Sequence, residues 1–429
     1  MQLFSFSLPG WVNPADAFCL LYGNDEAAFW LDREHHPTAP FSVLGHAHRD
    51  VFSNLTDALT ALDALSAKLE LTAAPAELPF DFRPGLVGWI EYVDAQTETS
   101  DAATGLLLVR EALVFDHAKR NITIVGIFDS ETKFKHWVQG VILRIWFSGG
   151  QQVGYQMRVE TTEAHPPLSA RSSATEYLEL VRESQRQIAA GEVYQICLTN
   201  QIQGSTNRDP LATFLRLRQQ NPAPFASFVR IGDRALVSSS PEQFLKLDTA
   251  GTLETRPIKG TRARRPDQTS DDAVRAELAS DAKERAENLM IVDLMRNDLV
   301  RVSESDSLSV PKLFEVESYA TVHQLVSTVV AKKRTDASTA DVIAATFPAG
   351  SMTGAPKHRA MELIDELEVK PRGIYSGLAG WFGIDGSFEL AMNIRCLVFE
   401  AGRVSIGVGG GITSDSMPER ELEETKIKA

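Results

Sequence analysis

The chain has 429 residues, of which 43% are hydrophobic and 23% charged, a composition typical of ordinary soluble globular proteins. Single hydrophobic cores stop growing at roughly 250–300 residues, so we expect two domains or two layers of core. The formal net charge of −14 disfavours nucleic acid and anionic membranes as partners, because both bind basic surfaces.

Cysteine usage and the absence of long apolar runs indicate the compartment. Cys19, Cys197 and Cys396 form a sparse, odd-numbered set, which predicts reduced and buried thiols. The first residues lack a basic stretch followed by a long apolar run, and no segment approaches the roughly 18 apolar residues of a membrane span. We therefore expect no signal peptide, no membrane partner and a cytoplasmic location.

The first part of the chain mixes strand-like runs with turns. Three of its segments have clear patterns, two typical of strands and one of a helix: 86–90, 122–126 and 59–69. The Pro-rich segment 165–170 predicts a linker. We place a boundary there, between an N-terminal region, 1–165, and a second domain, 166–429.

Helix and strand patterns sharpen after this linker. Ser173 or Thr175 can cap a helix that ends at Gly191. Alternation over residues 193–202 then predicts a strand, in which Gln195 lies among small or apolar neighbours. Further helices are predicted over about 281–299, from about Pro356 and from about Pro418, and short strands over about 374–408.

One lysine stands in a tight Pro/Gly frame, in the segment Arg256-Pro257-Ile258-Lys259-Gly260-Thr261, with Arg262 next in the chain. Positive charge beside an amine favours its neutral form, so Lys259 is a candidate nucleophile. Taken alone, the segment also fits a surface turn with a solvated lysine.

Two predicted helices carry the same pair of carboxylates. Glu284 and Glu287 are three residues apart, as are Glu421 and Glu424, so each pair lies on one helix face. Carboxylate oxygens without histidine or cysteine suit Mg²⁺, which keeps several waters and takes substrate oxygens. Each pair taken singly also fits a charged helix face in solvent.

Two glycine-rich segments are candidates for binding an anion. Residues 350–357 lead into a helix N-terminus with free backbone N–H groups, and residues 407–412 allow close backbone approach or form a flexible turn. Arg395 lies in an apolar, strand-like setting, which predicts a buried guanidinium that needs a carboxylate from the protein or a ligand. Tyr375 adds a candidate hydroxyl donor.

Histidines are weaker candidates. Four of them lie in a Pro-rich polar loop without regular ligand spacing, so we expect them at the surface: His35, His36, His46 and His48. His323, in an apolar run, is by itself more typical of a hydrogen-bonded core histidine.

Taken together, these segments resemble the chorismate-utilising enzymes. The resemblance is strong over about 175–428 and general over 1–165. Its motifs occur in order along the chain: 191–195, 240–242, 256–261, 284–298, His323, 354–357, Arg395, 409–412 and 421–428. It implies an α+β fold with large antiparallel β-sheets in a sandwich-like core flanked by helices, as in component I of the anthranilate synthases.

Two positions distinguish branches of this family. Members that add water to chorismate carry a lysine base where this chain has Gln195, so the resemblance implies ammonia as the nucleophile. Anthranilate synthases carry alanine where this chain has Lys259. The lysine implies amination at C4 to give 4-amino-4-deoxychorismate, on the route to p-aminobenzoate and folate.

The resemblance also implies roles for individual residues. Lys259 would be the nucleophile, Glu242 the general acid and His323 a hydrogen-bond partner near the C4 hydroxyl. Glu287 and Glu424 would bind Mg²⁺ directly, and Glu284 and Glu421 through water. The implied substrate contacts come from nine residues: Arg395, Tyr375, Thr353, Gly354, Lys357, Gly409, Gly410, Gly411 and Lys428.

The source of ammonia is expected to be another protein. None of the cysteines lies in a glycine-flanked nucleophile turn with a partnered histidine, so we expect a separate glutamine amidotransferase subunit. Two alternatives stay open. One is component I of an anthranilate synthase, which eliminates pyruvate, and the other is a non-catalytic chorismate-binding protein.

Overall fold

The computed structural model describes residues 1–47, 50–69, 78–147 and 168–429, which form 22 strands and ten α-helices. The strands are β1 (Gln2–Ser7), β2 (Ala27–Asp32), β3 (Phe41–His46), β4 (Val51–Asn54), β5 (Gly85–Ile90), β6 (Ala103–Val109), β7 (Glu111–Asp116), β8 (Asn121–Phe128), β9 (Ser169–Ala170), β10 (Gln195–Ser205), β11 (Phe225–Ile231), β12 (Arg234–Ser240), β13 (Gln243–Leu247), β14 (Thr252–Thr255), β15 (Ile258–Ala263), β16 (Ser309–Ser318), β17 (Val322–Lys332), β18 (Gly354–Ala355), β19 (Leu378–Gly383), β20 (Phe388–Met392), β21 (Cys396–Glu400) and β22 (Arg403–Ile412).

The helices are α1 (Pro14–Tyr22), α2 (Leu55–Ser66), α3 (Glu131–Ile142), α4 (Ala174–Ala189), α5 (Pro210–Gln220), α6 (Gln268–Ser280), α7 (Ala282–Val300), α8 (Thr339–Thr346), α9 (Lys357–Leu367) and α10 (Pro418–Lys428). Among these ten, none is both long enough and apolar enough to cross a lipid bilayer.

The strands form two antiparallel sheets. The 12-stranded sheet has the order β1-β8-β7-β3-β2-β11-β12-β21-β22-β10-β18, with β9 paired to β10. The 10-stranded sheet has the order β15-β17-β14-β13-β20-β19-β5-β6-β4, with β16 paired to β17. Both sheets combine strands from either side of residue 165. The predicted boundary, between residues 165 and 166, lies outside the described residues. Within the predicted linker, 165–170, Ser169–Ala170 form strand β9.

The main core lies between the two sheets. Leu31 and Val114 of the first sheet and Trp89 and Leu390 of the second belong to one buried cluster, and each is about 1% exposed. Two sheets that pack face to face bury the alternate side chains of both inner faces. This sandwich with flanking helices confirms the predicted α+β fold.

Strand β10 links the outer helices to the interior. Its Ile196 and Leu198 pack with Tyr177 of α4 and Ala360 of α9, whereas Cys197, pointing the other way, joins the core between the sheets. Successive side chains of a strand alternate between its faces. The same alternation directs Gln195 inward, as the sequence predicts.

The helix ends follow the predicted caps. Ser173 caps α4 in a reciprocal pair with Glu176, and Gly191, with φ +82°, follows its end. Asp281 caps α7, and Pro418 opens α10. In the N-terminal region α2 begins at Leu55, a turn before the predicted start.

The surface prediction for the histidine loop holds for His35 but is wrong for two of the others. His36 is buried, and its Nδ1 accepts the backbone N–H of Ala39 at 3.0 Å. His46 ends strand β3, half-buried, with its Nδ1 2.7 Å from Asp25. His48 lies outside the described residues. The pairing of β3 explains the position of His46, and local hydrogen bonds explain that of His36. Composition reveals neither.

Candidate active site

A cavity of about 520 Å³ lies where β10, β15, β17 and β22 meet helices α7 and α10. Its volume is in the range of small-molecule sites. The charged residues that line it are five basic and five acidic: Lys259, Arg262, Lys283, Arg395 and Lys428, with Glu242, Glu284, Glu287, Glu421 and Glu424. The lining is therefore balanced in charge, although the whole chain carries −14.

Strand β15 brings Lys259 into this cavity. A β-bulge falls at Gly260, whose φ is +71° and whose missing Cβ would lie 2.8 Å from Leu278. Glycine is favoured there because other residues are strained at this φ, and because the Leu278 side chain occupies the place of a Cβ. The Lys259 Nζ lies 3.6 Å from the Glu287 carboxylate.

The arginines that flank Lys259 have partners of their own. Arg256 pairs with Glu317 of β16, and Arg262 contacts Glu277, Asp281 and Glu284. The positive charge that these arginines place beside Lys259 is therefore offset by carboxylates. Their partners lie on other elements, and sequence spacing does not reveal such pairing.

Glu242 occupies the connection between β12 and β13 and is 8% exposed. Burial raises the pKa of its carboxyl from 4.5 to about 7. The charge of Lys259 and hydrogen bonds from Ser351 and the Ile258 backbone lower that pKa in part. A carboxyl with a pKa near neutral can donate a proton at physiological pH.

Both glutamate pairs face the cavity as helix geometry requires. Glu284 and Glu287 project from α7, and Glu421 and Glu424 project from α10. Burial, and to a smaller extent Glu424, raises the pKa of Glu421, while its hydrogen bond from Ser416 lowers it.

The four carboxylates do not converge on one point. In the described residues no group of three acidic, histidine or cysteine side chains is close enough to form a metal cluster. Mg²⁺ needs only one or two protein carboxylates when water and substrate complete its shell. The donor set from α7 and α10 contains only oxygen, and, besides burial, Glu424 raises the pKa of Glu421, so the residues present fit Mg²⁺ with water and substrate as further ligands.

The glycine-rich segment 407–411 is part of strand β22, not a flexible turn. It pairs with β10, where Thr199 stands opposite Gly409 and Cys197 opposite Gly411. The neighbouring β21 pairs with β22 only as far as Ile406, so the other edge of the segment carries backbone N–H groups that have no strand partner among the described residues. This edge lines the cavity and suits a carboxylate.

Arg395 lies in the turn between β20 and β21 rather than in a buried strand. Its φ is +52°, and its side chain is exposed and lines the cavity. Among the described residues the guanidinium has no ion pair or hydrogen bond, so it is available to a ligand carboxylate. The prediction that Arg395 is buried is wrong, because nothing in the sequence marks an arginine for a left-handed backbone.

Tyr375 and Lys428 also line the cavity, as predicted. The Tyr375 ring lies over Gly407, where a Cβ would come within 2.0 Å of it. Burial raises the pKa of its hydroxyl well above the ordinary value, so the group stays a hydrogen-bond donor. Lys428 Nζ donates to the Gly409 carbonyl at 2.8 Å.

Five predicted site residues are not in the cavity lining, and Gln195 is one of them. His323 faces away from it, with Nε2 2.9 Å from Asp271 and Nδ1 2.8 Å from Ser318. Thr353 is fully buried, and its hydroxyl donates to the Ala349 carbonyl. The remaining two are Gly354 and Lys357. A Cβ on Gly354 would lie 2.2 Å from the Gln195 carbonyl, so this glycine serves packing.

Lys357 is held by Asp298 at 2.5 Å and donates to the Thr346 carbonyl. Burial lowers the pKa of Lys357 and raises that of Asp298, so the pair offsets an unfavourable desolvation. We expect Lys357→Met to reduce the free energy of unfolding by about 3 kcal/mol, because it leaves Asp298 buried without its counter-ion. Urea unfolding measures this loss.

The double variant Lys357→Met with Asp298→Leu should regain most of that stability, because an apolar pair of similar volume replaces the ions. If Lys357→Met were instead as stable as the unaltered chain but bound chorismate more weakly, Lys357 would be a substrate contact, as the resemblance implies.

The structure adds cavity residues that the sequence did not single out: Cys197, Thr261, Gln324, Ser351 and Ile394. Gln324 is the neighbour of His323 on β17, and strand alternation places the two on opposite faces. Thr261 belongs to the motif of Lys259, but the β-bulge at Gly260 interrupts the alternation between them, so spacing along β15 does not predict its position.

Gln195 is 1% exposed, and its side chain contacts the glycine-rich segment 407–411 of β22, which we call the glycine strand. A Cβ on Gly411 would be 2.7 Å from the Gln195 Nε2 and 3.5 Å from the Lys259 Nζ, so both groups approach this glycine. Within the described residues neither amide atom of Gln195 has a hydrogen-bond partner. A buried amide without partners costs about 1–3 kcal/mol, which is typical of a position that a ligand or water completes.

A two-sheet fold and a charged cavity with paired glutamates, a lysine and a glycine strand define the class. The chain belongs to the chorismate binding enzymes, whose family model matches residues 19–429. An aminodeoxychorismate synthase of Streptomyces griseus is 38% identical over the whole chain, which spans 63% of that relative's length. Aminodeoxychorismate synthase component 1 of Salmonella typhimurium is 38% identical over 73% of the chain and 66% of the relative.

A solved structure shares the same architecture. Anthranilate synthase component I from Streptococcus pneumoniae is 25% identical and superposes with a TM-score of 0.73, covering 100% of this chain and 91% of that one. The chain spans about two thirds or less of the two aminodeoxychorismate synthases described above.

Proposed function

We propose that this chain is the large subunit of an aminodeoxychorismate synthase, which converts chorismate and ammonia to 4-amino-4-deoxychorismate and water. The observation that carries the proposal is the position of Lys259, whose amine enters the cavity between the glutamate-bearing helix α7 and the buried acid Glu242. The names of the two aminodeoxychorismate synthase relatives support the same reaction.

Charge balance supports a dianionic substrate together with a divalent cation. The lining carries equal numbers of acidic and basic groups, so chorismate alone would leave two negative charges uncompensated. Mg²⁺, held by Glu287 and Glu424 with Glu284 and Glu421 through water, would supply that positive charge beside the ring carboxylate. The free guanidinium of Arg395, the Tyr375 hydroxyl and the N–H groups of the glycine strand would bind the enolpyruvyl carboxylate.

In the proposed reaction, the neutral amine of Lys259 forms a bond to C2 of the ring as the C4 hydroxyl leaves. Glu242 gives its proton to that hydroxyl, which departs as water. Ammonia then bonds to C4, the ring–lysine bond breaks to release the neutral lysine, and the surplus proton on the new amine returns to Glu242, which restores both groups. The covalent step divides one difficult substitution into two easier ones.

Gln195 gives a physical reason for ammonia rather than water as the second nucleophile. Its carboxamide does not take up a proton near neutral pH, so it cannot act as a base that activates water. Ammonia is already a nucleophile and needs only to be held in place. The unpartnered amide oxygen of Gln195 is a suitable acceptor for it.

The thiols of the chain do not suit a glutaminase, so we propose that ammonia comes from a separate glutamine amidotransferase subunit. Burial raises the pKa of Cys19 to about 11 and that of Cys396 to about 12, and it also raises the pKa of Cys197. A thiol is nucleophilic as the thiolate, which these shifts disfavour. The name component 1 of the Salmonella relative supports a partner component.

A product assay tests this function directly. The purified chain is incubated with chorismate, MgCl₂ and ammonium chloride at alkaline pH, where more of the ammonium is ammonia, and the products are identified by mass. We expect 4-amino-4-deoxychorismate without the partner subunit and no release of pyruvate. Anthranilate with pyruvate would establish the alternative that the Streptococcus structure favours, and no turnover would indicate a binding protein.

A further inference from the structure

The glutamates of the cavity already hold cations that belong to the chain. Three of the four are paired with basic side chains: Glu284 with Arg262 at 3.2 Å, Glu287 with Lys259 at 3.6 Å, and Glu424 with Lys428 at 2.5 Å. The fourth, Glu421, accepts a hydrogen bond from Ser416 at 2.7 Å. These pairings explain why the four carboxylates line one cavity without converging on one another.

The pair of Lys428 and Glu424 is the shortest of the three and lies in the last turn of α10. The two residues are four apart, so helix geometry brings their side chains together. The Lys428 Nζ also donates to the Gly409 carbonyl, which fixes the ammonium group between the helix and the glycine strand. The ammonium therefore occupies space at the carboxylate that a bound cation would need.

We propose that Lys428 is an internal counter-ion of Glu424 that competes with the divalent cation and so sets the cation affinity of the cavity in the absence of substrate. The proposal rests on the proposed function in one respect, the assignment of a divalent cation to these carboxylates. An ammonium group and a metal ion cannot both occupy the same carboxylate oxygen, so removal of the ammonium charge must favour the metal.

Helix α10 offers a matched control. Lys426 forms an ion pair of the same kind with Glu423 at 3.2 Å, but both side chains are about 60% exposed and lie outside the cavity. Its removal changes the net charge by the same amount at nearly the same place. A general charge effect would therefore appear equally in both variants, whereas direct competition would appear only at Lys428.

The test is isothermal titration calorimetry of MgCl₂ into the full chain without substrate. We expect Lys428→Met and Lys428→Gln to bind Mg²⁺ about two- to fivefold more tightly than the unaltered chain, the range that loss of one partly exposed ion pair predicts. Glutamine keeps an N–H donor for the Gly409 carbonyl, so this variant separates the effect of the charge from the effect of the hydrogen bond. Lys428→Arg and Lys426→Gln should stay within about twofold of the unaltered chain.

Equal or weaker binding by Lys428→Met and Lys428→Gln would overturn the proposal, as would an equal gain in Lys426→Gln. Absence of Mg²⁺ binding in every variant would overturn it together with the cation assignment. The product assay distinguishes these failures from failure of the proposed function, because it reports on the reaction without reference to cation affinity.

Discussion

Replacement of Lys259 by alanine is expected to lower the rate of 4-amino-4-deoxychorismate formation by at least about a thousandfold, because the reaction loses its nucleophile. The side chain enters the cavity at the β-bulge of β15, and nothing else on that strand supplies an amine there. Rates are measured with chorismate, MgCl₂ and ammonium chloride, and the product is quantified by mass. Chorismate affinity should change far less than the rate.

Lys246→Ala is a suitable control for this variant. Lys246 lies on β13 of the same sheet and pairs with Asp81 at 2.5 Å, outside the cavity. We expect this control to retain the rate of the unaltered chain. A normal rate and product in Lys259→Ala would rule out a covalent role for the lysine.

Glu242→Gln is expected to lower the rate by about 10²–10⁴-fold, the usual contribution of a positioned general acid. With its pKa raised to about 7, Glu242 is protonated below that pH and loses its proton above it. The ratio of the rate of the unaltered chain to that of Glu242→Gln should therefore fall as pH rises through about 7. The ratio isolates the acid, because the requirement for a neutral Lys259 is common to both proteins and an amide does not titrate there.

Ammonia availability also changes with pH, so the profile must be measured at constant free ammonia rather than constant total ammonium. Glu400→Gln, on β21 with its side chain outside the cavity, is a control that should keep the normal profile. A ratio of the two rates that stays constant or rises through pH 7 would contradict the role of general acid.

The parts of the site that follow from local geometry were predictable from the sequence. Glu284 with Glu287 and Glu421 with Glu424 share helix faces because three residues span nearly one turn. Asp281, the N-cap of α7, and Pro418, the first residue of α10, mark where these two helices begin. The sandwich fold followed from the resemblance, since strand pairing at long range has no local signature.

Other features depend on contacts between distant segments and could not be read from spacing. The resemblance points to His323 as a cavity residue, whereas its neighbour Gln324 lines the cavity. Both faces of this part of β17 are buried, so the pattern of polar residues does not show which of the two faces the cavity. Arg256 and Lys357 each belong to a motif that suggests a ligand contact. Their ion-pair partners, Glu317 and Asp298, are about 60 residues distant in the sequence. Each such pairing removes a charge that the motif alone attributes to the ligand site.

The most direct measurement is the intact mass of the chain, quenched after mixing with chorismate and MgCl₂ in the absence of ammonia. A covalent intermediate on Lys259 predicts an added mass equal to chorismate less one water, located on the peptide that contains Lys259 and absent from Lys259→Ala. Addition of ammonium chloride should discharge it with release of 4-amino-4-deoxychorismate. A chain that carries no adduct before ammonium chloride is added and yet forms product afterwards, or an adduct on another residue, would contradict the proposed mechanism.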